Sequence, residues 1–566
     1  VKPAPRRWQL NAADALPGFH PVLGKVLAAR GLDAAAATSF MDVDTGWHDP
    51  FALPGMREAV ATIAQTMREH GRIAVYGDYD ADGVTACAML TRALRYAGAD
   101  VLPYIPNRMT EGYGLHAAAL QELAERAVSC VITVDCGTSS VDVVGGRPDG
   151  MRIVVTDHHL PLTPGGSAPQ LAPADALVNP KLPDSTYPFD GLAGAGVAFK
   201  LVQALEEAGV LMPDSTDIAV GLAALGTIAD MMPLNDENRV IVRRGLSRIA
   251  DLPGLRALCE VAGVGAQLHA ADVAFGVAPR INAAGRMEDA KLALQLCLCD
   301  DAQEAEALAH DLDAQNRLRQ QAVAGALLDA ERQVAELDDD LPAIVLGDPG
   351  WPMGIVGLVA GRLVERYARP AFIVCLDAGE AKGSARSVSG VHMVRALDRA
   401  AASLLRYGGH AAAAGFSLEA SRFDEFRALV SGAVREQLNG APRERVFAID
   451  CEIVTADTTP ELCRVLAQLE PCGMGVPQPL LAVSGATVLG TSPFGAEAQH
   501  LRVVLAGATG VLEAVAFHKP NLAAHLPRGR QVDVCFSLEL DTFQGQDRVR
   551  ARLRDLRPKQ AIASLS

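Results

Sequence analysis

The chain has no CxxC pair, and no apolar run reaches the roughly 18 residues that a membrane-crossing helix needs. Its 11 cysteines are scattered, which argues for a reducing compartment and against a zinc site. Cys297 and Cys299, one residue apart on an apolar stretch, read as core. No secretory leader is visible, so the expectation is a soluble protein of the cytoplasm with no membrane association. Positive charge is also short: 67 acidic against 51 basic side chains leave a net charge of −16. That argues against a protein that coats nucleic acid with its whole surface, though not against a local basic track. One such track runs through Arg528, Arg530, Arg548, Arg550, Arg552, Arg554, Arg557 and Lys559. Internal repeats are absent, and low complexity is confined to Ala-rich segments.

What is present is organised around Arg72–Cys87, RIAVYGDYDADGVTAC. Ile73–Tyr76 is an apolar run suited to one buried strand. Gly77 ends it, and Asp78, Asp80 and Asp82 follow on alternate residues. Gly83 is expected to allow a turn, and Val84–Tyr96 reads as a helix. In an open parallel sheet, ligands bind outside the carboxyl ends of the strands. Two carboxylates about 5 Å apart repel by roughly 3 kcal/mol at an effective dielectric of 20, so three in one loop call for a cation. Taken alone, the stretch also reads as a solvated acidic turn.

Strand and helix alternate from His48 to about Asp300, with strands expected at Ile73–Gly77, Val101–Ile105, Cys130–Val134, Ile153–Thr156 and Ala176–Val178. The alternation implies an α/β domain with a mainly parallel sheet covered on both faces. Three strands end alike, in Asp78, in Asp135 (VITVDCG), and in Asp157, His158 and His159 (RIVVTDHH). Parallel strands release their carboxyl ends on one edge, so these residues can converge into a metal site. Asp230 closes the apolar run Leu222–Ile228, where the negative end of a helix would oppose it unless a cation is near. It reads equally as an exposed Asp before a turn.

At 566 residues the chain should hold about three or four domains. Residues 1–47 read as a helical lead-in that packs on the following domain, 48–300 as the α/β domain, and 301–340 as a long connecting helix. Residues 341–440 restart as α/β, with strands Pro342–Leu346 and Ala371–Leu376 around a helix Ile355–Tyr367. Two Gly-containing loops are expected there, Gly383–Ser387 and Gly408–Phe416, suited to backbone that approaches a phosphate. Residues 441–566 alternate apolar and polar in short runs, including Val446–Ile449, Leu481–Val483 and Val532–Leu538, the pattern of a small antiparallel barrel such as an OB-fold. Phe517, Phe536 and Phe543 with the basic track fit single-strand binding; they also fit an ordinary barrel core.

The motifs GDYDADGVTA, VDCG, TDHH, ALGTIADMMPL, PRINAAGRM, GSARS and GGHAAAAGFSL, in this order, resemble the DHH phosphoesterase superfamily, and its RecJ exonuclease branch in particular. The resemblance covers nearly everything after residue 48. It implies a two-lobed core, a parallel sheet plus a smaller DHH-associated lobe joined by a long helix, followed by an OB-fold; some relatives carry a further C-terminal domain, whereas this chain is expected to end after the barrel. It further implies a 5′-to-3′ exonuclease on single-stranded DNA that uses Mn²⁺ or Mg²⁺, releases nucleoside 5′-monophosphates and acts in recombination and repair. Expected partners are single-stranded-DNA-binding protein and a repair helicase, at a bacterial-type nucleoid. One departure is Pro352 in GWPMGIVG, where the family commonly has His.

Oxygen ligands with an imidazole suit Mn²⁺ or Mg²⁺. One ion is expected on Asp82, Asp135, His158 and Asp230, and a second on Asp80 and Asp78 with Asp135 bridging. Two ions about 3.5–4 Å apart can activate water and stabilise in-line displacement at phosphorus. His159 is the candidate for the scissile phosphate or general acid, or else supports the ligand His. Arg108, Arg280, Asn282 and Arg286 are candidate phosphate binders of the catalytic lobe, Arg286 reading equally as an ion-pair residue. Ser384, Arg386, Gly409 and His410 would face them from the second lobe and grip a terminal 5′-phosphate. Two other readings are open: a short-oligonucleotide or cyclic-dinucleotide phosphodiesterase, and a non-catalytic DNA-binding scaffold of the same fold.

Overall fold

The computed structural model describes residues 2, 4–42, 46–108, 111, 112, 114–163, 168–265, 267–377, 379–440, 444–543 and 546–559. The chain forms two compact units, one of residues 39–318 and 469–477, the other of residues 1–38, 319–468 and 478–566.

The first unit is built on a five-stranded sheet in the order Val101–Tyr104, Arg72–Gly77, Val128–Val134, Arg152–Thr156, Ala176–Val178, every pair parallel. Its inner strands are apolar on both faces because helices cover both, the arrangement that near-continuous Val and Ile runs require. Register brings the strand ends level. Gly77 lies opposite Val134, Val134 opposite Thr156, and Thr156 opposite Val178. The next residue of each strand, Asp78, Asp135, Asp157 and Asn179, therefore leaves the sheet on a common row, with strands about 4.8 Å apart.

The helix after the acidic loop begins earlier than expected, at Ala81, and runs to Tyr96. Asp80 caps it, its carboxylate accepting from the N–H groups of Asp82 (2.9 Å) and Gly83 (3.1 Å). Gly83 is thus helical rather than a turn. Its missing side chain serves contact, since a Cβ there would stand 2.5 Å from the Asp78 backbone.

In the second unit a five-stranded sheet holds Ile344–Asp348, Ala371–Cys375, Glu380–Arg386, Ala413–Glu419 and Arg406–Gly409, with Met353–Tyr367 packed against it. A 35-residue helix, Ala302–Glu336, precedes this sheet. The expected Gly loops are strands: Gly383–Arg386 lies inside Glu380–Arg386, and Gly408–Phe416 is largely a hairpin of Arg406–Gly409 with Ala413–Glu419. The reason is packing. A Cβ at Gly383 would stand 2.3 Å from the Phe416 ring, so this glycine admits an aromatic rather than a phosphate.

The C-terminal barrel closes through Leu481–Phe494, His500–Gly507, Gly510–Ala516, Gln546–Pro558 and Gln531–Phe543, the last pairing back to the first. Val446–Ile449 is not one of its strands: Arg445–Ile449 pairs in parallel with Arg6–Leu10. The lead-in, expected to be helical and to pack on the next domain, does hold helices at Pro21–Ala29 and Ala34–Met41, but it opens with the strand Arg6–Leu10, and residues 1–38 belong to the unit that holds the barrel. The Trp8 indole donates to buried Asp555 at 2.8 Å and fixes that strand.

Candidate metal centre

Four elements converge at the carboxyl edge of the first sheet. The Asp82 side chain, in the first turn of its helix, is buried and accepts from the N–H groups of Gly194 (2.7 Å) and Ala195 (2.8 Å). Those two open the helix Gly194–Glu207, whose positive end suits the carboxylate. Asp135 leaves its strand at φ 63. A Cβ at Gly194 would come within 2.5 Å of the Asp135 side chain, so the approach requires glycine there. Asp230 caps the C-terminus of Ser215–Ala229.

His158 joins them. Its Nδ1 lies 3.0 Å from the Leu192 carbonyl, which fixes the proton on that nitrogen and leaves the Nε2 lone pair for the cluster. Nε2 stands 3.1 Å from Asp135, 3.6 Å from Asp230 and 4.0 Å from Asp82. Within Asp82–His158–Asp230, within Asp78–Asp80–Asp135 and within Asp135–His158–His159, one ligand atom per residue lies within 4.8 Å of the others.

The electrostatics of this cluster call for cations. Burial, then the charge of Asp80, pushes Asp82 up to about 7 despite its two backbone donors. Burial and the neighbouring charges of Asp82 and Asp80 push Asp230 to about 9. Asp78 and Asp135 are raised well above the carboxylate range, burial leading in both. His158 falls to about 3, through burial and then the neighbouring His159, so it is a neutral imidazole at ordinary pH. Asp78 Oδ1 is buried and has no hydrogen-bond partner among the described residues. Hard carboxylate oxygens with neutral imidazole, too many negative groups and an orphaned buried oxygen fit Mn²⁺ or Mg²⁺.

Asp157, grouped with the converging strand ends but given no role there, and Asn179 and Lys181, not singled out, complete the surroundings of the cluster. Asp157 accepts from the N–H groups of His158 (2.7 Å), His159 (3.1 Å) and Thr138 (2.9 Å), and from His159 Nδ1 (2.8 Å). Burial opposes its charge, but the His159 bond and charge outweigh that and hold Asp157 below the usual range. Burial likewise works against charge on His159, and Asp157 reverses it, raising the His159 pKa. Asn179 donates to the His159 carbonyl and to Thr138, both at 2.9 Å. Burial lowers the pKa of Lys181, while Asp230, the foremost opposing charge, raises it. The common row of strand ends carried the signal for Asp157 and Asn179; nothing local marked Lys181.

The expected phosphate binders behave differently from one another. Arg280 is committed to Asp313 (2.8 Å) and the Gly276 carbonyl (2.6 Å). Asn282 accepts from the Ala81 N–H at 2.9 Å, so it buttresses the acidic loop. Arg108 lies over the Tyr79 ring at 4.9 Å, and its charge favours ionised Asp78. Arg286 is half-buried on the same helix as Arg280 and Asn282, its charge felt at Tyr79.

In the other unit, Ser384 accepts from Arg386 at 2.9 Å, and Gly357 leaves room beside both. Register sets Arg386 opposite Ala413, whose carbonyl accepts from the His410 N–H at 2.8 Å. Gly409, at φ 141, pairs with Ala414. Ser384, Arg386, Gly409 and His410 thus occupy one end of one sheet.

On the barrel the basic track is neutralised at three of its eight positions. Arg550 pairs with Asp541, Arg552 with Glu539 and Arg557 with Asp533 across adjacent strands. Phe536 is fully buried core and offers no stacking face; the side chain of Phe543 lies outside the described residues. Phe517 is half-exposed, flanked by His500 (5.1 Å between centroids) and by Arg552 (5.2 Å).

Family comparisons agree with these three regions. The model of the DHH family N-terminal domain matches residues 72–227, the DHHA1 domain 340–436 and the RecJ OB domain 449–555. The chain is 38% identical over 572 residues to the single-stranded-DNA-specific exonuclease RecJ of Thermus thermophilus, covering 98% of this chain and 79% of that protein. It is 35% identical over 570 residues to the protein of the same name from Escherichia coli, covering 95% and 96%. Among solved structures, RecJ of Thermus thermophilus in complex with Mn²⁺ superposes with a TM-score of 0.83 at 34% identity, over 98% of this chain and 80% of that one.

Proposed function

The chain belongs to the RecJ family of single-stranded-DNA-specific exonucleases, and from that premise we propose that it degrades single-stranded DNA from the 5′ end, releasing nucleoside 5′-monophosphates. It is a metal-dependent DHH nuclease that uses Mn²⁺ or Mg²⁺ and binds single-stranded DNA, in recombination and repair. The observation that carries this reading is the convergence of Asp78, Asp80, Asp82, Asp135, His158 and Asp230 on one sheet edge. A non-catalytic scaffold has no use for such a cluster of buried charge, and a dinucleotide phosphodiesterase has no use for the barrel.

In this reading Asp82, Asp135, His158 and Asp230 would hold one ion, and Asp78, Asp80 and Asp135 would hold a second. Bound there, the ions supply Lewis acidity and activate water. The chain's own residues do the rest. Gly194 and Ala195 orient Asp82, and Leu192 fixes the His158 tautomer. His159, held by Asp157 and raised toward its protonated form, donates to the scissile phosphate or the leaving oxygen. Arg108 and Arg286 contact backbone phosphate. Asn282 acts from behind the loop, and Arg280, tied to Asp313, positions its helix. Ser384, Arg386, Gly409 and His410 form a pocket for a terminal 5′-phosphate. The protein works in the cytoplasm at the nucleoid with single-stranded-DNA-binding protein and a repair helicase. Among the described residues, no helix is long and apolar enough to cross a membrane.

The test is single-stranded DNA labelled at either end and incubated with Mn²⁺. The 5′ label should appear first as mononucleotide, while Asp82→Ala and His158→Ala hydrolyse nothing yet still bind the strand. Full activity in either variant would remove the assignment.

A further inference from the structure

The turn after Asp230 is closed by carbonyls of its own helix and is then held by a second segment. Met231 stands at φ 57, and the N–H groups of Met231 and Met232 fold back onto Ile228 and Thr227 as the helix ends. Leu234 then donates at 2.8 Å to the carbonyl of Met474, in the segment Leu469–Pro477. That segment is a compact plug. Gly473 and Val476 exchange backbone hydrogen bonds of 2.8 and 3.2 Å, and Val476 is buried in the same apolar core as Leu234. The contact is close enough that a Cβ on Gly473 would stand 2.7 Å from the Leu234 side chain, and one on Gly475 3.2 Å from Pro233.

Arg239 fastens the plug. The residue is 3% exposed, and its guanidinium donates to the carbonyls of Leu469 (2.9 Å), Glu470 (3.2 Å) and Pro471 (3.0 Å), with a fourth bond to Phe40 (3.2 Å). A planar fork suits several carbonyls at once, which a lysine cannot match. The neighbouring Asn238 donates to the carbonyls of Pro233 (3.0 Å) and Gly191 (2.6 Å). It thereby joins the Asp230 turn to the loop that carries Leu192, Gly194 and Ala195, the partners of His158 and Asp82.

We infer that Arg239 is a positioning residue for the metal centre: it clamps Leu469–Pro477 against the turn after Asp230 and so sets where the Asp230 carboxylate stands. The inference rests on reading Asp230 as a metal ligand. Partners that orient ligands are worth about 10–100-fold in metal affinity or activity. Removing the guanidinium also takes its N–H donors from three carbonyls of the plug, of which Glu470 keeps a longer bond from Arg243 (3.4 Å) and Leu469 one from the Cys472 thiol (3.7 Å).

The experiment compares the full chain with Arg239→Met, Arg239→Lys and Gly475→Ala. It measures Mn²⁺ affinity by calorimetry, kcat and KM on single-stranded DNA, and the folded fraction by circular dichroism. Arg239→Met should weaken Mn²⁺ binding by about 10-fold or more and lower kcat with KM for DNA unchanged. Arg239→Lys should fall between it and the parent. Gly475→Ala keeps Arg239 but forces a side chain at φ 73 against Pro233, and should shift Mn²⁺ affinity and kcat the same way. Parent-like Mn²⁺ affinity and kcat in folded Arg239→Met would overturn the inference. If that variant does not fold, the same result in Gly475→Ala overturns it. A parent protein that binds no Mn²⁺ would instead remove the metal reading on which it stands.

Discussion

Asp82 and Asp230 are the residues whose chemistry is most changed by their surroundings. An Asp in the unfolded chain titrates near 3.9, whereas burial and mutual repulsion bring these two to about 7 and about 9. The metal-free folded state therefore holds protons that the unfolded state has released. Stability contributed by these groups is full below about pH 4 and is lost as pH rises toward 7 and then 9. An ion must displace the same protons, so Mn²⁺ affinity should rise steadily from about pH 6 to about pH 9. Calorimetric titration across that range checks the sign; affinity that falls or stays flat would contradict the carboxylate cluster. At this scale the sequence was informative wherever a side chain ends a strand. Asp78, Asp135 and His158 could be grouped because parallel strands share an exit edge. Asp157 falls in the same converging group, yet its role as a holder of His159 is not legible there, since nothing local distinguishes a ligand from the carboxylate that holds the ligand's neighbours. Arg280 was legible only in part: its ion-pair partner Asp313 belongs to another helix, invisible to a local reading.

The elements follow from periodicity and capping where those signals are strong. Val and Ile runs gave the parallel strands to within a residue or two, and Ala176–Val178 without error. The helix of the acidic loop began at Ala81 because Asp80 caps it; a run of alternating carboxylates hides a cap among candidate ligands. The Gly-rich stretches were misplaced for a tertiary reason. Gly383 is small to admit Phe416 from the adjacent strand, and only the pairing of Glu380–Arg386 with Ala413–Glu419 reveals it. Gly383→Ala should therefore destabilise the protein by about 1–3 kcal/mol through overpacking, read by urea unfolding, with Mn²⁺ affinity unchanged. A neutral substitution would mean that the Phe416 ring relaxes freely.

Over the whole molecule, a net charge of −16 sits with a basic C-terminal strand that is mostly matched by acids on its neighbour. Long-range attraction for DNA is therefore weaker than the arginine count alone implies, and the proposed 5′-phosphate pocket can be tested by itself. Arg386→Ala should reduce the preference for 5′-phosphorylated over 5′-hydroxyl ends, measured as the ratio of initial rates on the two substrates. An unchanged ratio would count against the pocket of Ser384, Arg386, Gly409 and His410.

Crystals soaked in Mn²⁺ and measured at the manganese absorption edge test the central claim most directly. Two anomalous peaks about 3.5–4 Å apart are predicted, one among Asp82, His158 and Asp230, the other between Asp78 and Asp80, with Asp135 touching both. Manganese bound elsewhere, with neither group occupied, would contradict it.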